Sequence, residues 1–135
     1  MHRETLNIRT AGRGFNEITR EVAAVVQRSG VATGLCHLFI QHTSAALLIT
    51  ENADPDVLID LETWISGLAP DGDSRYRHTA EGPDDMSAHV RALLTETALT
   101  LPVAENRPAL GTWQGVFVWE HRSRPHDRRV TVTVW

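Results

Sequence analysis

The hydrophobic pattern changes period along the chain, and that change limits the fold more than any other feature. Val130, Val132 and Val134 alternate with Thr131 and Thr133, the signature of a half-exposed antiparallel strand. Upstream, Phe15, Ile18, Val22 and Val25 or Val26 recur at helical spacing, with Asn16 as candidate cap and Gly30 as stop. Ala98–Val103 and Thr112–His121 also read as strands, as do Thr5–Arg9, Gly34–Gln41 and Ala46–Thr50. Asp54-Pro55 predicts N-cap and N1 of a second helix with a core face of Val57, Leu58, Leu61, Trp64, Ile65 and Leu68. A third helix is expected from Asp84 to about Thr97, after a polar loop over residues 70–83. Helices and strands in this order, with no repeat or linker, predict one α+β domain over residues 1–135 with a mostly antiparallel sheet.

Composition narrows the function classes. A formal net charge of −4 offers nucleic acid and anionic membrane surfaces no attraction. No apolar run approaches a membrane span, and the polar start Met1–Glu4 predicts no signal peptide, so a cytoplasmic setting is expected. The only cysteine, Cys36, rules out a disulfide framework and a thiolate-rich zinc site. In the strand-like run Leu35–Ile40 it reads as a buried thiol in preference to a nucleophile. All 13 basic residues are arginine, which excludes Schiff-base chemistry and a Walker-type loop. An anionic substrate must then be held by arginine, backbone amides or a metal.

Seven histidines suggest a metal, and three of them qualify. His2 is terminal, His37 reads as a strand residue, and His121 and His126 flank a predicted turn where exposure is expected. His42 ends an apolar strand and His78 sits in the long loop. His89 lies four residues after Asp85, so the two share a helix face and offer an imidazole with a carboxylate partner. Imidazoles with few carboxylates suit zinc or another late divalent ion, although each histidine alone also fits a structural role. Asp54 is explained as a cap. Glu51-Asn52, directly after an apolar strand, fits a general base or further ligand. Leu110-Gly111-Thr112-Trp113-Gln114-Gly115 reads either as backbone approached closely by a ligand or another chain, or as a strand bend with a core tryptophan.

Taken in order, His42-Thr43-Ser44-Ala45, Glu51-Asn52-Ala53-Asp54-Pro55, Tyr76-Arg77-His78, Asp84-Asp85-Met86 with His89, Leu110–Gln114 and Glu120 resemble the YjbQ family. Ser87 departs from a proline common in that family. The resemblance spans nearly the whole chain and implies antiparallel sheets with flanking helices, assembled as a homotrimer. It further implies a pocket with a divalent metal ion held by His42, His78 and His89. Glu51, Asp54 and Asp85 become its catalytic carboxylates, and Ser44, Asn52, Trp113 and Gln114 its substrate-binding residues. The activity implied is secondary thiamine-phosphate synthesis, in which a pyrimidine-methyl group moves from its diphosphate to thiazole phosphate. Lacking lysine, the chain must hold the phosphates with Arg75, Arg77, Arg128 or Arg129. A non-catalytic metal- or metabolite-binding trimer is the alternative.

Overall fold

A computed structural model describes all 135 residues, and its strands fall into two antiparallel sheets. In chain order the elements are β1 (His2–Arg9), β2 (Gly14–Glu17), α1 (Thr19–Ser29), β3 (Thr33–Ile40), β4 (Ala45–Glu51), α2 (Pro55–Leu68) and α3 (Asp85–Leu93). They continue as β5 (Ala98–Ala104), β6 (Arg107–Pro108), β7 (Gln114–Glu120) and β8 (Asp127–Val134). One sheet runs β1-β8-β3-β5-β6 and the other β2-β7-β4. No helix is long and apolar enough to cross a membrane.

The core lies between the sheets. Cys36, Leu38 and Ile40 of β3, Leu101 and Val103 of β5, and the three alternating valines of β8 meet Leu47 of β4, Val116 and Val118 of β7, and the Val22, Val25 and Val26 face of α1. Burial raises the Cys36 thiol to about 11, so it packs as a small apolar residue. Register follows the side-chain alternation: Leu38 lies opposite Val132 and Ile40 opposite Val130, so a one-residue slip would turn the valines outward. The far face of the smaller sheet carries Phe15 stacked on Trp119 at 4.3 Å, and the Trp119 indole N–H donates to Glu62 of α2 at 2.7 Å.

Three expectations change. Phe15 and Asn16 belong to β2, because Phe15 pairs with Trp119 across the strands, and α1 starts only at Thr19. Gly30 ends α1 in the left-handed region, as its sequence position predicts. The third helix stops at Leu93: the Thr95 hydroxyl donates back to the Arg91 carbonyl, and the Leu47 and Ile40 amides then donate to the Glu96 and Thr97 carbonyls. On α2 only Ile65 of the expected core face is fully buried, while Trp64 is 64% exposed.

Candidate metal centre

The site is built where the long loop returns to α3. Arg13 holds the start of the loop through a two-pronged ion pair with Asp71 (2.8 and 2.9 Å), and the Ser87 hydroxyl of α3 also bonds Asp71. The Gly72 amide donates to the Pro83 carbonyl at 3.0 Å and closes the loop on itself. This closure delivers His78 to the first turn of α3, which carries Asp85 and, one turn on, His89.

A ring nitrogen of His78, a ring nitrogen of His89 and a carboxylate oxygen of Asp85 lie within 4.8 Å of one another. Asp85 Oδ2 is 2.7 Å from His78 Nε2 and 3.2 Å from His89 Nε2. Tautomers follow from the second contact of His89. Its Nδ1 lies 3.0 Å from the Thr43 carbonyl, which only accepts, so Nδ1 carries the proton. In the neutral ring Nε2 is then a lone pair aimed at an anionic oxygen. Two such atoms at 3.2 Å repel unless a cation, a proton or a metal ion, shares the space. An imidazole whose outer N–H is fixed by a backbone carbonyl is also how a metal-ligating histidine is oriented.

Arg122 supports the cluster, and no sequence signal singled it out. Its Nη1 donates to Asp85 Oδ1 at 2.8 Å, its Nε to Asp84 at 3.0 Å and its Nη2 to the Glu81 carbonyl at 3.0 Å. The guanidinium therefore turns Asp85 Oδ2 toward the histidines. Burial works to raise the Asp85 carboxyl, but the His78 hydrogen bond and the Arg122 charge outweigh it, so Asp85 stays ionised. Asp84 is held even lower: the Ser123 amide and Arg122 overcome its burial. The sequence singles out all three donors, but only Asp85 and His89 by a spacing that puts them together.

The other expected site residues lie elsewhere. His42 Nε2 accepts the Arg129 backbone N–H at 2.8 Å, and within one chain its ring lies outside the cluster of His78, Asp85 and His89. Burial and the charges of Arg128 and Arg129 lower its pKa, so the ring is neutral. Ser44 is buried, accepting from Arg128 at 3.0 Å within the Glu120–Arg128 pair. Glu51 ends the opposite side of β4, six residues beyond Ala45 and about 20 Å away at strand rise, and Asp54 follows at the start of α2. There Glu51 accepts the Asp54 amide at 3.2 Å and Asp54 caps α2 by accepting the Asp56 amide at 2.9 Å. Asn52 borders a separate polar cleft with Glu17 and Arg20. Gln114 spends its side-chain oxygen on the Gly111 amide (2.7 Å), and Trp113 is exposed rather than part of the core. Within one chain His42 borders a cleft with His89, and the other residues do not line the clefts that His78 and His89 border. His121 is fully buried instead of exposed, because β7 carries it under the loop that Arg13 and Asp71 close.

A family profile described as UPF0047 protein YjbQ-like matches residues 4–135. A Synechocystis relative, UPF0047 protein sll1880, is 54% identical over 98% of this chain and 90% of its own length. UPF0047 protein YjbQ of Escherichia coli O157:H7 is 39% identical over 98% and 96%. Among solved structures, a YjbQ/UPF0047 family protein from Clostridium acetobutylicum superposes with a TM-score of 0.90 at 33% identity, covering 98% of this chain and 99% of that one. The conserved hypothetical protein TT1486 from Thermus thermophilus gives 0.89 at 38% identity, with the same coverage.

Proposed function

The chain belongs to the UPF0047 family of YjbQ-like proteins, and from that premise we propose that it is a metal-assisted enzyme acting on a small molecule. The ion is divalent, zinc for this donor set, and is held by His78 Nε2, His89 Nε2 and Asp85 Oδ2. The observation that carries this reading is the fixed His89 tautomer, which leaves a lone pair and a carboxylate oxygen converging on one point. Three protein donors leave coordination positions open to substrate, as in catalytic sites.

The reaction proposed is the one the family resemblance implies, transfer of a pyrimidine-methyl group from its diphosphate to thiazole phosphate. A divalent ion bound at the cluster supplies charge stabilisation to a leaving diphosphate. Arg122 holds Asp85 ionised and aimed, and the Thr43 carbonyl keeps His89 in the ligating tautomer. Of the four candidate phosphate-binding arginines, Arg75 is paired with Asp73 and Arg128 with Glu120. Arg77 and Arg129 make no side-chain ion pair and are the anion contacts proposed here. The protein acts as a cytoplasmic homotrimer, as the resemblance implies.

A non-catalytic metal binder is the second reading. It draws support from Asp84 and Asp85, both held ionised and so unsuited to proton transfer near neutrality. The test is metal per chain on protein purified without added metal. Near-stoichiometric zinc is expected in wild type and in His42→Ala, and none in folded His78→Ala/His89→Ala. Metal retained by the double variant, or missing from wild type, rejects the site; turnover of the two precursors then separates enzyme from binder.

A further inference from the structure

We infer that His42 is a neutral hydrogen-bond donor that recognises an uncharged acceptor group of the bound small molecule, in an apolar cleft opening beside His89. This deepens the proposed metal-site reading and rests on it only for what lies at the cleft's inner end. The cleft, of about 520 Å³, lies between the end of β3 and α3 and is bordered by Phe39, Ala92 and Leu93 together with His42 and His89. That size suits part of a small ligand.

The hydrogen-bond pattern of His42 sets its role. Because Nε2 accepts the Arg129 amide, the proton of the neutral ring sits on Nδ1, and Nδ1 makes no hydrogen bond within the chain. The ring is anchored on one side by backbone and presents one N–H donor on the other. A ligand to metal needs a lone pair, and the lone pair of this ring is already used. Phe39 is 44% exposed and Leu93 is 82% exposed at the cleft, so apolar surface is available there to a ligand. No arginine, aspartate or glutamate borders the cleft. A phosphate set against the Phe39 and Leu93 wall would lose water with no arginine lining that wall, whereas a carbonyl on an apolar body gains both the donor and the wall. The moiety facing His42 is therefore apolar with a carbonyl-type acceptor, and any anionic end of the same molecule points away from it, toward the cluster.

The experiment uses full-length protein with histidine-nitrogen NMR and two probes, N-methylbenzamide and orthophosphate. His42 is expected to show the Nδ1–H tautomer in wild type, and added zinc should shift the ring nitrogens of His78 and His89 while leaving those of His42. N-methylbenzamide should perturb Phe39 and Leu93 and bind about three- to tenfold more weakly to His42→Phe, which keeps a ring of similar size and has no N–H to donate. Orthophosphate should not compete. A His42 ring that shifts with zinc as a ligand does, equal amide binding by His42→Phe, or displacement of the amide by phosphate overturns the inference. Zinc that moves no histidine rejects the metal site instead, and the amide titration still decides the role of His42.

Discussion

At the scale of single residues, two side chains outside the donor set have measurable consequences. Arg122→Ala removes the group that aims Asp85 at the two histidines, so zinc affinity should fall about 10- to 100-fold in a chelator competition although every ligand remains. Arg122→Lys should recover only part of this, since one ammonium cannot span Asp84, Asp85 and the Glu81 carbonyl together. Unchanged affinity in Arg122→Ala would show that Asp85 is oriented without it. His121 is the second case. It is fully buried, neither ring nitrogen has a partner, and burial followed by the Arg91 charge lowers its pKa to about 3. The unfolded chain binds a proton below about 6.5 while the folded chain does not, so this residue destabilises the fold as pH falls from there toward 3. The slope is at most about 1.4 kcal/mol per pH unit. Urea midpoints of His121→Phe should equal or exceed wild type at pH 7 and fall less steeply between pH 6 and 4; parallel curves would mean that His121 gains a proton in the folded state.

At the scale of elements, α2 separates a structural carboxylate from a chemical one. Asp54 caps the helix and Pro55 opens it, as their order in the chain predicts. Asp54→Ala should cost about 1 kcal/mol of stability by urea denaturation and leave metal content unchanged. A loss of metal would place Asp54 at the centre after all, through a neighbouring chain. The boundary of α1 shows how local pattern is overruled. Phe15 fits the helical period with Ile18 and Val22, yet its ring gains more by stacking on Trp119 across the sheet. The last turn expected of α3 is lost for a similar reason, since Glu96 and Thr97 supply carbonyls to the Leu47 and Ile40 amides.

At the scale of the whole molecule, large apolar side chains remain uncovered in the single chain. Ile59, Trp64 and Leu68 of α2 are each more than half exposed, as are Leu94 and Trp113. The proposed homotrimer would cover part of this surface and give Asn52, Glu51 and Trp113 a route to a neighbour's site. Light scattering on the eluted peak should give three times the 15.0 kDa chain mass. A monomer of undiminished metal content would confine the site to one chain.

Local pattern in the chain fixes the α+β class, most of the elements and the pairing of Asp85 with His89. Period-2 alternation in β8, the glycine stop of α1 and the cap of α2 follow from local stereochemistry, which is why they were legible. Asp85 and His89 were legible for the same reason, being one helical turn apart. The remainder depends on packing between distant segments. Loop closure brought His78 to them, Arg122 arrived from the far end of β7 to aim the carboxylate, and the Arg129 amide took the lone pair of His42. Those contacts join residues 7, 37 and 87 positions apart. Such long-range approaches are set by how the sheets and the loop pack, and no periodicity within a single element records them.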